Sequence, residues 1–184
     1  MLRIGKRIPG GHGLAGALLR RASVVELDWD VRSKSRFDAT DSTGRAVGVF
    51  LPRGSVVRGG DVLVAEDGSL VRVVAAAQAV LVVHAAPGGS TFDLMRAAYH
   101  LGNRHVALEL QPDHLKLEPD HVLADLLRSM GLQVQELQAP FEPEGGAYAA
   151  STRAGQVHAG HSHAEHSHDH SHDHSHDHGH RHGD

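Results

Sequence analysis

The last 27 residues carry almost no apolar side chains, which confines the folded part of the chain to the residues before them. From Gly145 the sequence is rich in glycine, alanine and serine, and from His158 histidine recurs at nearly every second position. Such a segment buries too little apolar surface to offset the entropy lost on ordering. We therefore expect residues 149–184 to be disordered without a ligand.

Histidine is the dominant ligand type of this tail. In an extended chain alternate side chains point to the same side, so neighbouring imidazoles lie ready to share one ion. The interspersed aspartates add oxygen donors and distinguish the segment from an uninterrupted cloning tag. Imidazole with carboxylate and no thiolate favours Ni²⁺, Cu²⁺ or Zn²⁺, and the ligand types alone do not name the metal. The candidate tail ligands are His158, His161, His163, His166, His168, His170, His172, His174, His176, His178, His180 and His182.

Composition excludes several classes of site. The chain has no cysteine, which rules out disulfides, thiolate metal sites and cysteine nucleophiles. Its formal charge of -4, counted with neutral histidines, gives no electrostatic reason to bind nucleic acid. No apolar run approaches the roughly 18 residues of a membrane span, and Gly13–Leu19 is too short for a secretory leader. We expect a cytoplasmic protein that binds neither nucleic acid nor membrane.

Residues 1–75 predict a small all-β domain, because short apolar segments alternate with turn residues. Val25, Leu27, Trp29 and Val31 alternate with acidic residues, as in a strand with one buried face. The stretch Arg3–Pro9 is basic and ends in proline, so no hydrophobic strand is expected there. The remaining expected elements are a short helix at Leu14–Arg21 and strands at Arg36–Ala39, Val47–Leu51, Val62–Ala65 and Leu70–Val74.

Residues 76–148 predict a second domain with the order βαββαβ, a ferredoxin-like split βαβ arrangement. Its expected strands are Val80–Val83, Val106–Leu110, His114–Leu117 and one that begins at Leu132. The first is a continuous apolar run, which indicates a strand covered on both faces. In the second, Val106, Leu108 and Leu110 alternate with Ala107 and Glu109, as in a half-buried strand. Ser90 and Asp93 resemble a capping box that starts the first helix. Asp120 caps the second helix and Gly131 ends it. The expected apolar face of this helix carries Val122, Leu123, Leu126, Leu127 and Met130. The fold class is therefore α+β, with a disordered histidine-rich tail.

The first of these helices leads to His105. Phe92, Met95 and Tyr99 form an apolar stripe along it, and His100 occupies the opposite, wetted side. Gly102 is expected to take the left-handed C′ position that ends the helix. His105 then lies at a helix-to-strand corner with its ring near the surface. The alternative is a surface histidine without a function. It is disfavoured because the same chain ends in a histidine-rich segment typical of metal binding.

Three further histidines lie in the second domain, and their expected roles differ. His121 falls in the first turn of the second helix, where the helix dipole disfavours protonation and so helps metal ligation. The alternative is an ordinary residue on a polar helix face. His84 and His114 lie beside or within strands, and we expect both to be structural or incidental.

Several motifs together resemble those of the urease accessory nickel chaperone family, UreE. The motifs are Leu101-Gly-Asn-Arg-His105, Pro119-Asp-His121-Val-Leu123, and Pro140-Phe-Glu-Pro-Glu-Gly-Gly-Ala-Tyr148 before a histidine-rich end. Leu51-Pro-Arg-Gly54 and Gly59-Gly-Asp-Val-Leu63 are similar too. The resemblance covers nearly the whole chain.

The resemblance implies a peptide-binding-like β domain and a ferredoxin-like domain that dimerises. His105 of each copy would meet at the two-fold axis and bind one Ni²⁺. Some relatives have further ligands at the positions of His100 and His121, while Pro119 stands where one relative has a ligand histidine. The implied acceptors are the urease accessory GTPase and, through it, the apo-urease activation complex.

The function expected from the sequence is therefore a dimeric nickel metallochaperone that delivers Ni²⁺ for assembly of the urease active site. The alternative is a histidine-rich protein that stores or buffers nickel or zinc. A metal-dependent hydrolase is disfavoured, because the chain lacks H-E-x-x-H and His100 and His105 do not share a helix face. We expect no enzymatic activity.

Overall fold

The computed structural model describes residues 1–145, which form ten strands and four α-helices. In the first half these are β1 (Leu2–Ile8), α1 (Gly16–Arg21), β2 (Ser23–Leu27), α2 (Trp29–Arg32), β3 (Arg36–Thr40), β4 (Ala46–Phe50), β5 (Val62–Ala65) and β6 (Leu70–Ala75). The second half contains β7 (Ala77–His84), α3 (Thr91–Gly102), β8 (Glu109–Leu110), β9 (His114–Leu117), α4 (His121–Ser129) and β10 (Gln133–Pro140). No helix among these residues has the length and apolarity needed to cross a bilayer.

The first six strands form one mixed sheet in the order β2-β6-β5-β1-β4-β3. β1 runs parallel to β4, β2 runs parallel to β6, and the other pairs are antiparallel. The alternating apolar side chains of these strands meet in one core. Its buried members are Ile4, Val25, Leu27, Val47, Val49, Leu51, Val57, Leu63, Ala65, Val71 and Val73.

Two expectations for this first half are wrong. The basic stretch before Pro9 is a central strand, β1, in which Arg3 and Lys6 are exposed and Ile4 is fully buried. The expected strand through Val31 ends at Leu27, because the Asp28 side chain accepts a hydrogen bond of 2.9 Å from the Val31 amide and caps α2. With α1 and α2 present, the first half is mainly β but not all β.

The last four strands form an antiparallel sheet in the order β10-β7-β9-β8. The element order βαββαβ is confirmed, and Ser90 with Asp93 does form a capping box at α3. Both helices pack on the face that carries Leu81 and Leu117. Val80 and Val82 lie on the other face with Phe141. β7 is thus covered on both faces, as its continuous apolar run indicates.

Apolar residues at three places in this half are exposed against expectation. The stripe of Phe92, Met95 and Tyr99 faces solvent, while Leu94, Ala97 and Leu101 of the same helix are buried. Val122 of α4 is also exposed. At β8 the burial is the reverse of the expected alternation, because Glu109 is buried and Leu110 is exposed. Glu109 is buried because its carboxylate accepts hydrogen bonds from Lys116 and from the Glu142 amide.

The antiparallel order assigns the histidines of the second half to two ends of its sheet. His84 ends β7 and pairs with His114, the first residue of β9, and with Gln133, the first residue of β10. α3 leaves this end after β7 and returns the chain to the opposite end, where His105 follows it. His121 begins α4 at that opposite end, because β9 has just run there.

Candidate metal centre

His105 ends α3 in a left-handed backbone conformation. Its φ of 57° makes it the one non-glycine residue with positive φ among residues 1–145. The Val106 amide donates to the Leu101 carbonyl at 3.2 Å, and the His105 amide donates to the Gly102 carbonyl at 2.9 Å. These are the two hydrogen bonds of a Schellman motif, with His105 in the C′ position that glycine usually occupies. The expectation that Gly102 takes this position is wrong, since Gly102 is the last residue of the helix.

Packing on both sides fixes the backbone at His105. Leu101 is fully buried in the core of the second half, and Val106 packs against the same cluster. The His105 side chain itself is exposed. A non-glycine residue in the left-handed region costs about 1–2 kcal/mol, and such strain persists where the surroundings enforce it. His105 therefore presents its ring to solvent from a rigid corner, as the sequence pattern predicts.

A groove of about 480 Å³ adjoins His105 and leads to the last described residues. Its lining includes Gly102, His105, Leu108, Glu144 and Gly145. The Glu144 amide donates to the Leu108 carbonyl at 2.7 Å, which fixes this segment in place. The last two described residues, Glu144 and Gly145, therefore lie beside His105.

His100 and His121 lie at the same end of the sheet as His105. His100 is half-buried, its ring stands edge-on to that of Tyr99 at 5.4 Å, and its carbonyl accepts a hydrogen bond from Arg104. His121 is exposed at the first position of α4, directly after the capping Asp120. Within residues 1–145 these histidines do not belong to any group of three ligand atoms lying within 4.8 Å of one another. Their assignment as ligands stays a prediction.

The twelve candidate ligands of the tail, from His158 to His182, lie outside the described residues.

A buried arginine connects the two sheets, and no local sequence pattern singles it out. Arg32 is fully buried; its guanidinium donates to Glu142 Oε1 at 2.8 Å and to the carbonyls of Leu27 and Phe141. The Gly59 amide donates to the same Glu142 oxygen at 2.7 Å, and a Cβ at Gly59 would lie 2.9 Å from that atom. The segment after β10 is thereby held against the first sheet just before it passes His105.

Glu109 continues this connection towards His105. Its carboxylate accepts hydrogen bonds from Lys116 Nζ at 2.8 Å, from the Glu142 amide at 2.7 Å and from Gln111. Burial raises the pKa of Glu109, but the hydrogen bonds from Lys116, the Glu142 backbone and Gln111 outweigh it and hold the pKa below its ordinary value. These partners explain why Glu109 is buried where the alternation predicted an exposed residue.

We expect Glu109→Gln to destabilise the protein at pH 7 and progressively less in acid. The pKa of Glu109 in the folded state lies below its ordinary value of 4.5. The ionised carboxylate therefore stabilises the fold above that pH, and this contribution is lost as the pH falls through the folded-state pKa. Thermal unfolding at several pH values should show the wild-type advantage narrowing below pH 4.5. The exposed Glu118→Gln is the control, and a gap of constant width would contradict the role of the charge.

A second group of ligand-type side chains appears where the sequence predicts only structural histidines. His84, Asp113 and His114 each offer one ligand atom, and these atoms lie within 4.8 Å of one another. His114 Nδ1 lies 2.8 Å from Asp113 Oδ1, and His84 Nδ1 lies 3.2 Å from the Asp113 carbonyl. The hydrogen bond from His114 lowers the pKa of Asp113, which keeps this carboxylate ionised at neutral pH. Only the β7–β9 register reveals the group.

Comparison with known proteins gives consistent matches along the chain. Residues 4–76 match the family model described as UreE urease accessory protein, N-terminal domain, and residues 78–183 match that of the C-terminal domain. The chain is 75% identical over 151 residues to the urease accessory protein UreE of Paracidovorax citrulli, covering 82% of this chain and 72% of that protein. It is 74% identical over 156 residues to the protein of that name from Methylibium petroleiphilum, covering 84% and 72%.

A third relative, the urease accessory protein UreE of Verminephrobacter eiseniae, is 66% identical over 156 residues and is covered over 93% of its length. The family is one of accessory proteins to an enzyme, which confirms that this chain is not itself an enzyme. The resemblance read from the motifs is confirmed as well. The chain belongs to the UreE family of urease accessory proteins.

Proposed function

We propose that this protein is a nickel-binding metallochaperone that acts in the cytoplasm and delivers Ni²⁺ for assembly of the urease active site. The observation that supports this best is the conformation of His105. Glycine would adopt this backbone conformation without strain. A histidine at this exposed corner therefore indicates that its side chain has a function, and metal ligation is such a function. The last two described residues before the tail, Glu144 and Gly145, line the groove beside His105.

The proposed site is completed by a second copy of the chain. Phe92, Met95 and Tyr99 are 62%, 58% and 66% exposed and share one face of α3. An exposed apolar patch of this kind marks an interaction surface. Since α3 leads directly to His105, pairing of two α3 ends across a two-fold axis would bring two His105 rings together. Residues 76–148 are then the dimerising, metal-binding domain, and residues 1–75 are free for other partners.

Two symmetry-related imidazoles fill only part of the coordination shell of nickel. The remaining positions can take tail histidines, such as His158 and those after it, or ligands of an acceptor. A closed site of four protein ligands would retain its ion, whereas an open one exchanges ligands. Transfer from tail to shared site and on to the urease accessory GTPase and apo-urease is then a sequence of ligand exchanges. The same ligand types admit Zn²⁺ and Cu²⁺.

The experiment that tests this function is nickel titration with native mass measurement. It uses a full-length variant in which the twelve tail histidines are replaced by asparagine, the tail-silenced variant. His105→Ala should remove one ion per two chains from this variant, and the control His12→Ala should remove none. An ion count unaffected by His105→Ala would contradict the shared site.

A storage protein is the second candidate, supported by the histidine content of the tail. The two functions differ in the effect of removing residues 158–184 on urease activation in cells that lack their own copy of this protein. A metallochaperone should lose nickel capacity but keep the His105 ion and much of its activity. A storage protein should lose its function altogether.

A further inference from the structure

We propose that His84, Asp113 and His114 form a second site for a divalent transition metal ion, separate from His105. The ion would bridge the end of β7 and the turn between β8 and β9. This inference goes beyond the proposed function, because it concerns the opposite end of the second sheet and needs neither a second chain nor the tail.

The strand register places the two imidazoles side by side. His84 and His114 are directly opposite each other in the antiparallel β7–β9 pair. Their ring centroids are 5.3 Å apart and the ring planes are inclined by 42°. Three ligand atoms about one ion at metal–ligand distances of about 2.0–2.2 Å lie roughly 3–3.5 Å apart. The observed limit of 4.8 Å is therefore close enough for small side-chain rotations to enclose an ion.

Hydrogen bonds through Asp113 orient both rings for ligation. The Asp113 carbonyl can only accept, so His84 donates from Nδ1, and the ionised carboxylate accepts in the same way from His114 Nδ1. At His84 this hydrogen bond leaves the lone pair on Nε2, the arrangement by which a backbone carbonyl orients a metal-binding histidine. At His114 an ion that binds the ring and the Asp113 carboxylate together takes the place of the proton between them, because metal binding releases protons from its ligands.

Access and flanking charge also suit a cation. His84 and His114 are half-buried, whereas the Asp113 side chain is 77% exposed. The group thus has a fixed inner part formed by the rings and an open outer side. Two imidazoles and one carboxylate leave at least one coordination position for water, as in open four-coordinate zinc sites. Zn²⁺, Ni²⁺ and Cu²⁺ all accept these ligands, and Zn²⁺ is the probe of choice because it is diamagnetic.

The fold separates this group from His105. α3 starts shortly after His84 and is 12 residues long, so it spans about 18 Å before His105 follows its far end. β10 likewise pairs with His84 at Gln133 and leads away to Pro140, from where the chain passes to the groove beside His105. An ion at His84 and His114 is therefore not part of the His105 centre.

The test is zinc titration of the tail-silenced full-length variant, followed by amide NMR and by metal counting. Zinc should shift the amide signals of residues 83–85 and 112–115, and this response should disappear in both His84→Asn and His114→Asn. Asp113→Asn should weaken the zinc affinity of this site by at least about 10-fold, because loss of a partner that only orients a ligand already costs that much. His12→Asn is the matched control and should leave the response unchanged.

The two centres are distinguished in the same spectra. His105→Ala should abolish the zinc response near residues 104–106 but not the one near residues 83–85 and 112–115. The inference is overturned if saturating zinc leaves the signals of residues 83–85 and 112–115 in place. It is also overturned if the bound ion count is the same with and without His84 and His114.

Discussion

Replacing His105 by glycine should make the protein more stable while it loses the shared nickel ion. His105 holds a φ of 57°, which glycine adopts without the steric cost that a Cβ imposes. The cost for a non-glycine residue is about 1–2 kcal/mol, so we expect the free energy of unfolding to rise by about 1 kcal/mol per chain. Urea denaturation of metal-free protein measures this change.

Two controls separate backbone strain from the loss of the imidazole. His105→Ala retains a Cβ and should leave the stability nearly unchanged, while it removes the ion as completely as glycine does. Gly131→Ala makes the opposite change and adds a Cβ at a residue with positive φ. Gly131 has a φ of 82° and open space around its Cβ position, so only backbone strain is introduced. It should lose about 1 kcal/mol. A destabilised His105→Gly variant would show that the ring contributes more to folding than its exposed position allows.

Replacing Glu142 by alanine should destabilise the protein strongly. Arg32 is fully buried and would keep its charge without a carboxylate partner. Removing one partner of a buried ion pair costs about 3–5 kcal/mol. We expect a loss of about 3 kcal/mol, at the lower end of that range, because the Glu142 side chain is 32% exposed and the carbonyls of Leu27 and Phe141 still accept from Arg32. Equilibrium denaturation in urea gives the value.

The matched control is the exposed ion pair between Lys34 and Asp30. Their side chains are 53% and 73% exposed, so Asp30→Ala should cost less than about 1 kcal/mol. Glu142→Gln should fall between the two, since it keeps a hydrogen-bond acceptor in the side chain but not the charge. Equal effects of Glu142→Ala and Asp30→Ala would contradict a structural role for the buried arginine.

The elements that could be predicted from the sequence are those whose signals are local. The capping residues Ser90 and Asp120 mark the starts of two helices, and the continuous apolar run at Val80–Val83 identifies a strand covered on both faces. Trp29 shows the limit of periodicity. It fits a strand pattern, yet a single Asp28 side chain turns the backbone into α2.

Apolar periodicity also does not show what covers an apolar face. The stripe on α3 has the spacing of a core-facing helix, but the face buried within this chain is that of Leu94, Ala97 and Leu101. Glu109 is the reverse case, because its burial depends on Lys116 and on the Glu142 backbone, 33 residues further along the chain. Such long-range partners leave no trace in a local pattern.

The same distinction applies to the candidate site. The corner at His105 was predictable, since a helix ends and a strand pattern begins within a few residues. Its left-handed conformation was not, because the neighbouring Gly102 is the better candidate by local preference. The pairing of His84 with His114 is set by a strand register across 30 residues of chain. Propensity does not determine a register of this kind.

The most direct test of the central claim is a crystal structure of the nickel-loaded protein with data collected at the nickel absorption edge. If two chains share one ion through the corner histidines, an anomalous peak should lie on the two-fold axis between the two His105 rings, within bonding distance of one nitrogen of each. A dimer in which these rings lie far apart, with no nickel between them, would contradict the shared site.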